Sequence, residues 1–118
     1  MDKKTYGSIG ERAAAEYLET DGYRILDMNY TTPIAELDLI VEKGGVIAFV
    51  EVKRRKSDKY GTPAEAVTKR KQYKISQAAM YYINAHRFHN RPMRFDVVEV
   101  TDEGVNHIED AFYSPIRY

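Results

Sequence analysis

Two apolar segments on either side of a short glycine-containing link constrain the fold of this chain more than any other feature. Residues 36–41 and 46–53 are rich in aliphatic side chains, and Glu42-Lys-Gly-Gly45 separates them. Apolar runs of this length joined by a link with glycine are typical of an antiparallel β-hairpin. The centre of the chain is therefore expected to be a hairpin within a sheet, with residues 42–45 as its loop.

The second strand of this hairpin ends in charged side chains. Side chains alternate along a strand, so residues at odd positions from 47 to 53 face one side of the sheet. Glu51 and Lys53 therefore project from the same face, after a run, Val46–Val50, with the composition of a core strand. Charges that break a burial pattern are typical of a functional site, although a salt-bridged sheet edge would contain the same pair.

The hairpin also places acidic residues of its first strand beside this pair. With residues 42–45 as the loop, Glu36 lies opposite Glu51 and Asp38 lies opposite Phe49. Asp38 is then diagonal to Glu51, at a Cβ separation of roughly 7–8 Å. A shift of one residue would move Asp38 to the opposite face, so the expected site depends on the register.

Two carboxylates beside a lysine are suited to metal-dependent hydrolysis of a phosphodiester. Mg²⁺ usually binds through one or two carboxylates together with water and phosphate oxygens. The ion activates water and neutralises developing negative charge, and a lysine can position that water or the phosphate. Asp38, Glu51 and Lys53 are therefore a candidate hydrolytic site, with a salt bridge between Lys53 and the acids as the alternative.

The charged residues are unevenly distributed along the chain. The 118 residues include 18 basic and 18 acidic side chains, for a net charge of zero, which argues against a generally basic protein such as a histone. Residues 53–74, however, contain nine basic and two acidic side chains, a net charge of about +7. Such a segment is either an electrostatic footprint for a phosphate backbone or a solvated loop and helix face.

Helical signals flank the hairpin. Ser8 and Glu11 have the spacing of a capping box at the start of a helix over residues 9–20, and Gly22 is a natural stop for it. The apolar stripe of this first helix consists of Ala13, Ala14, Tyr17 and Leu18.

A second capping box, Thr62-Pro-Ala-Glu65, opens a helical region that is expected to break near Thr68 and to continue to about residue 84. Its apolar stripe consists of Val67, Ile75, Ala78, Ala79, Tyr82 and Ile83. A strand over residues 23–28 and a final hairpin of strands at 93–100 and 105–112 complete the pattern. The order helix, three strands, helix, two strands predicts one α/β domain over residues 1–118 with a mixed sheet.

Several classes of protein are excluded by what the chain lacks. It has no cysteine, so disulfide bonds and thiolate chemistry play no part. No apolar segment approaches the roughly 20 residues that a membrane-spanning helix needs, and the N-terminal Met1-Asp-Lys-Lys is unlike a signal peptide. We therefore expect a cytoplasmic protein that does not enter a membrane.

Asp38 followed by Glu51-Val-Lys53, within this order of elements, resembles the PD-(D/E)XK nuclease superfamily and its restriction-endonuclease-like fold. Over roughly residues 7–100 the chain is similar to the YraN-like family, small bacterial proteins regarded as predicted endonucleases. The matching stretches are Gly10-Glu11, Gly22-Tyr-Arg-Ile-Leu26, Asn29-Tyr30, Glu36-Leu-Asp-Leu-Ile40, Phe49-Val-Glu-Val-Lys53-Arg-Arg55, Tyr60-Gly61, Lys71-Gln72 and Arg94-Phe-Asp-Val97.

The resemblance implies roles for individual residues. Asp38 and Glu51 would bind Mg²⁺ or Mn²⁺, and Lys53 would position or activate the hydrolytic water. Glu11 matches an acid that the similar Holliday-junction resolvases place near the metal, although the capping box accounts for it equally well. Glu36 would be an auxiliary acid on the same face as Asp38.

Nucleic-acid contacts are expected from the basic segment and the second helix. Lys71 interrupts the apolar stripe four residues before Ile75, so it is expected to point toward the sheet, either to contact a phosphate or as a lysine whose stem packs on apolar surface. The candidate nucleic-acid-binding residues are Arg54, Arg55, Lys69, Lys71 and Gln72.

The leading hypothesis is a Mg²⁺- or Mn²⁺-dependent endonuclease that acts on nucleic acid, with DNA favoured over RNA and a homodimer as one form of assembly. The first alternative is a non-catalytic nucleic-acid-binding or protein-adaptor domain that retains the fold. The second is an interaction domain in which the acids and Lys53 form a salt-bridged edge and nucleic acid does not bind.

Overall fold

The structure, a computed structural model, describes residues 9–56 and 67–114. Within these ranges the predicted α/β class and the order of elements are confirmed. The elements are α1 Ile9–Thr20, β1 Arg24–Thr31, β2 Glu36–Lys43, β3 Val46–Arg54, α2 Lys69–His86, β4 Met93–Thr101 and β5 Gly104–Phe112. The predicted capping residues Ser8 and Thr62-Pro-Ala-Glu65 lie outside the described residues.

The strands form one mixed sheet in chain order, β1-β2-β3-β4-β5. Neighbouring strands are antiparallel except β3 and β4, which are parallel. A parallel pair needs a long crossover connection, and α2 lies in that connection. The crossover places α2 on one face of the sheet, and α1, which precedes β1, covers the other face.

The two helices pack on opposite faces of the sheet. Ile40, Phe49 and Val97 belong to the apolar core under α2, whereas Val50 and Val98 belong to the core under α1. The alternation predicted for β3 is therefore confirmed, with its odd-numbered side chains facing α2. Neither α1 nor α2, the helices within the described residues, combines the length and apolar character needed to cross a membrane.

Helix α1 has the predicted bounds, and Gly22 stops it shortly after Thr20, as predicted. The φ of Gly22, +94°, suits a residue without a Cβ. The Tyr23 N–H closes the end by donating to the Leu18 carbonyl at 2.9 Å. The predicted stripe is wrong at one position, because Tyr17 is exposed and Ala15 is buried instead. The small side chain of Ala15 packs in the core between α1 and the sheet, and Tyr17 is left on the outer side.

Helix α2 begins at the predicted break. Thr68 is its N-cap, and the Thr68 hydroxyl accepts a hydrogen bond from the Lys71 N–H at 3.2 Å. The helix ends at His86, where Arg87 adopts a left-handed conformation with φ of +58°. The predicted apolar stripe is confirmed, since all of its members are buried: Val67, Ile75, Ala78, Ala79, Tyr82 and Ile83.

The turn of the central hairpin is shorter than predicted. Gly44 and Gly45 form a two-residue turn with φ of +59° and +83°, a conformation that glycine adopts without strain. The strands therefore extend to Lys43 and from Val46, and Val41 pairs with Ala48. The predicted pairing of Glu36 with Glu51 and of Asp38 with Phe49 is wrong by two residues. An even shift preserves the faces, and the observed register, continued along the strands, sets Asp38 against Glu51.

Strand β1 runs to Thr31, past the predicted end at residue 28. Its pairing with β2 continues through Tyr30 opposite Leu37 and Thr31 opposite Glu36. Residues 29–31, beyond the predicted end, therefore belong to the strand, because main-chain groups there find partners on β2.

Candidate active site

Asp38 lies where β2 and β3 stop pairing. The ladder between these strands ends at Leu39 and Val50, although both strands continue beyond it. The Val52 N–H donates instead to Asp38 Oδ2 at 2.9 Å. A side chain thus satisfies a main-chain donor that the ladder would otherwise use, and the Asp38 carboxylate is fixed at the fork between the strands.

The alternation of side chains breaks at this same point. Leu37 packs in the core under α2, whereas Leu39 packs in the core under α1, although residues two apart on a regular strand share a face. On β1, Tyr30 pairs with Leu37 and packs in the core under α2, whereas Met28 pairs with Leu39 and packs in the core under α1. Asn29, which has φ of +51°, lies between them. Asn29 and Asp38 thus lie at a kink that crosses both strands, the kind of irregularity often found beside functional sites.

Asp38 and Glu51 form a pair of adjacent, poorly hydrated carboxylates. Glu51 is only 7% exposed, and Asp38 is half-buried. Burial and then the negative charge of Glu51 raise the pKa of Asp38 to about 7. Two acids in this arrangement favour a proton or a cation between them, because both charges are costly to hold without one.

Two lysines contact or adjoin this pair. Lys71 Nζ forms an ion pair with Glu51 Oε1 at 2.8 Å, so Lys71 points toward the sheet as predicted. Burial opposes its charge, but the hydrogen bond and charge of Glu51 outweigh burial and raise the pKa of Lys71. Burial, followed by the charge of Lys71, lowers the pKa of Lys53. Lys53 therefore gives up a proton more readily than an ordinary lysine.

Asn29 connects two further acids to the site. Its Nδ2 donates to Glu36 Oε1 at 3.3 Å and also to Glu11 Oε2. The side chain is buried, and its Oδ1 has no hydrogen-bond partner among the described residues. The charge of Glu11 adds to the raised pKa of Asp38, so the Glu11 carboxylate lies close to the central pair.

Of these groups, Glu36, Asp38, Glu51 and Lys71 border an open cleft of about 450 Å³. One wall is acidic and comes from the sheet, with Glu36, Asp38 and Glu51. The other wall is the start of α2 and is basic. The residues that α2 contributes to the lining are Thr68, Arg70, Lys71, Lys74 and Ile75.

The structure separates the predicted nucleic-acid-binding residues into different environments. Gln72 is buried, and its Nε2 donates to the Val67 carbonyl at 3.0 Å, so its side chain is interior and does not line the cleft. Arg55 forms an ion pair with the buried Glu99. Arg54 and Lys69 are exposed, and Lys71 lines the cleft.

Sequence reasoning missed three residues of this site, namely Asn29, Arg70 and Lys74. Helical spacing contained a signal for the last two, because positions 70 and 74 lie one turn apart beside the stripe that contains Ile75. Asn29 had no comparable signal, since its role depends on a positive φ and on the approach of α1.

The oxygens of Asp38 and Glu51 fit a hard divalent ion. Within residues 9–56 and 67–114, no group of three or more His, Cys, Asp or Glu side chains is arranged to enclose a metal. Mg²⁺ commonly needs only one or two carboxylates, with water and substrate filling its remaining positions. The mutual repulsion of two adjacent, poorly hydrated carboxylates is also what such an ion relieves, so the donor set suits Mg²⁺ or Mn²⁺ rather than an all-protein cage.

The comparison with known proteins identifies the family. The model of the uncharacterised protein family UPF0102 matches residues 10–100, a range that includes every residue of the cleft. A UPF0102 protein of Thermodesulfovibrio yellowstonii is 45% identical over 113 residues, which cover 96% of this chain and all of the relative. One from Caldanaerobacter subterraneus is 46% identical over 119 residues, with 95% and 98% covered. The YraN-like resemblance is thereby confirmed, and the chain belongs to the UPF0102 family.

Proposed function

We propose that the protein is a Mg²⁺- or Mn²⁺-dependent nuclease that hydrolyses nucleic-acid phosphodiester bonds in this cleft. The observation that carries the proposal is the pair of adjacent carboxylates, Asp38 and Glu51, at the fork of β2 and β3. Their position opposite a basic helix start supports it, because a phosphate would meet both walls. The resemblance to PD-(D/E)XK nucleases, which have the restriction-endonuclease-like fold, is a further support.

Each central residue has a chemical role in this proposal. Asp38 and Glu51 hold the divalent ion, which when bound supplies charge neutralisation and an acidified water. Lys53, whose pKa is lowered, orients the attacking water and takes part in its proton transfer. Glu11 and Glu36 act as auxiliary acids, and Asn29 keeps both carboxylates beside the centre.

The basic wall binds the substrate backbone. Arg70, Lys71 and Lys74 offer charged donors to phosphate oxygens, and such charge-assisted hydrogen bonds are stronger than neutral ones. Arg54 and Lys69, both exposed, add outer contacts. We propose DNA as the substrate. Because the chain has no net charge, its positive field is local, and a homodimer would provide a second such surface.

A non-catalytic nucleic-acid-binding domain is the second candidate, and one observation favours it. The ion pair between Lys71 and Glu51 neutralises the buried carboxylate without a metal, as a binding domain would require. The two candidates differ in metal dependence. A nuclease needs the ion, whereas a binding domain shows only salt-sensitive affinity for phosphates.

The test is a cleavage assay with a panel of labelled substrates: single strand, duplex, flap, four-way junction and RNA. Wild type is expected to cut at least one of them in Mg²⁺ or Mn²⁺ and to stop when a chelator is added. Asp38→Asn is expected to remain folded and not to cut. Glu16→Gln, a charge change on the exposed side of α1, is the matched control and should cut like wild type. Cleavage by Asp38→Asn at the wild-type rate would contradict the proposal.

A further inference from the structure

We propose that Lys71 is the resident counter-ion of the metal site, so that a divalent ion must displace its ammonium group from Glu51 in order to bind. This inference rests on the proposed metal-dependent function and goes beyond it. The chain thus carries its own competitor for the metal, the Lys71 ammonium group, and this competitor sets the affinity for the divalent ion.

The ion pair has one fixed partner and one movable partner. Glu51 is 7% exposed and extends from a central strand, whereas the Lys71 side chain is 45% exposed. The backbone of Lys71 is held by the Thr68 cap, so the helix need not move when the ion pair opens. Rotation of the flexible lysine side chain is sufficient to separate the two groups.

The charge balance at Glu51 explains why a lysine occupies position 71. A buried carboxylate without a cation is costly, and Glu51 has a second carboxylate, Asp38, beside it. The Lys71 ammonium offsets this charge in the metal-free protein. A divalent ion on Glu51 takes over the same role, and its charge repels the ammonium. The two cations therefore exclude one another, and the affinity for metal is lowered by the stability of the ion pair.

The displaced ammonium has a destination within the cleft. Lys71 lines the cleft together with Arg70 and Lys74, so a released side chain joins the basic wall. A metal ion would then free one more positive group for a substrate phosphate. Metal binding and phosphate binding are thereby coupled through one side chain, so each raises the affinity for the other.

The test is a calorimetric titration of Mn²⁺ into wild type and variants at one pH and salt concentration, without substrate. Lys71→Met removes the competitor and keeps an unbranched side chain that is one atom shorter, so the Mn²⁺ dissociation constant of this variant should fall by about three- to tenfold. Lys74→Met removes the same charge from the same cleft and controls for the general field. Its dissociation constant should change by less than about twofold. Glu51→Gln should lose most of the binding.

The outcomes separate this inference from the proposed function. Binding that depends on Glu51 but is equal or weaker in Lys71→Met overturns the inference and leaves the metal site standing. No Mn²⁺ binding by wild type overturns both. If Lys71→Met does not fold, Lys71→Arg provides the test. A guanidinium holds a carboxylate at least as firmly as an ammonium, so tighter Mn²⁺ binding by Lys71→Arg would also overturn the inference.

Discussion

Asp96 and Asp38 have opposite surroundings. Asp96 is fully buried, but His107, Arg94 and the Asp110 N–H all donate to it. These bonds outweigh burial and hold the pKa of Asp96 below its ordinary value. Asp38 accepts from Val52 and faces a second carboxylate instead, which with burial raises its pKa. Asp96 is thus a satisfied structural group, whereas Asp38 has the strained electrostatics typical of functional sites.

The raised pKa of Asp38 predicts how stability depends on pH in the absence of metal. The folded pKa, about 7, exceeds the ordinary value of 3.8, so the fold favours the neutral acid. The resulting destabilisation is absent below the ordinary value, grows as pH rises, and is complete above the folded value. Asp38→Asn removes the charge, and its amide oxygen can still accept from Val52. Its melting temperature should therefore exceed that of wild type more at about pH 8 than at about pH 5.

Thermal melts of both proteins in chelator, at both pH values, check this. The control is Asp110→Asn, because Asp110 is exposed and lies far along the chain on β5. Its difference from wild type should be nearly the same at the two pH values. An Asp38→Asn protein that is less stable than wild type at the higher pH would show that the carboxylate charge is already compensated.

At the scale of the elements, the first turns of α2 determine which basic side chains line the cleft. Arg70 and Lys74 line the cleft. Lys69 is exposed, and because successive residues of a helix are rotated by about 100°, its side chain faces away from Lys71. The double variant Arg70→Gln with Lys74→Gln should weaken binding to labelled DNA and reduce the slope of log affinity against log salt by roughly 2. Titrations in Ca²⁺ at several salt concentrations measure this slope.

The matched control for the helix is Lys69→Gln, which removes one charge from the same turn. We expect it to reduce the slope by less than either cleft residue does when changed alone. Equal reductions from Lys69 and from the cleft residues would mean that the nucleic acid lies across the outer side of α2 and not in the cleft.

The sequence predicted the elements better than it predicted their pairing. The bounds of α1 and the stripe of α2 followed from helical periodicity, which burial enforces residue by residue. The predicted hairpin register was wrong because Gly44 and Gly45 form a two-residue turn, whereas the prediction assumed a four-residue loop. The length of the loop sets the register. Asp38, Glu51 and Lys53 were still placed on one face, because the error was an even number of residues.

The kink at Asn29 and Asp38 could not be predicted in the same way. It depends on a positive φ at Asn29 and on a side chain that replaces a main-chain partner. Both arise only when β1, β2 and β3 are assembled and α1 brings Glu11 to Asn29. Local propensity carries no information about such a tertiary arrangement, so residues of this kind are found from the structure.

At the scale of the whole molecule, four elements bring charged residues to the cleft or close beside it. Glu11 comes from α1, Asp38 from β2, Glu51 and Lys53 from β3, and Lys71 from α2. The chain has no net charge, yet the acids and bases that line the cleft are separated onto facing walls. Under the proposed function, this separation would give a neutral protein a local site for a cation and an anionic backbone side by side.

In the proposed function, Glu51 and Asp38 together support metal-dependent hydrolysis. The most direct test is the single-turnover cleavage rate of the best substrate in Mg²⁺, for wild type and for Glu51→Gln from matched preparations. Replacing one carboxylate oxygen with an amide nitrogen preserves the shape of the side chain. We predict a rate at least roughly 100-fold lower, with an unchanged circular dichroism spectrum. Equal rates for the two proteins, or wild-type cleavage that persists in chelator, would contradict the account.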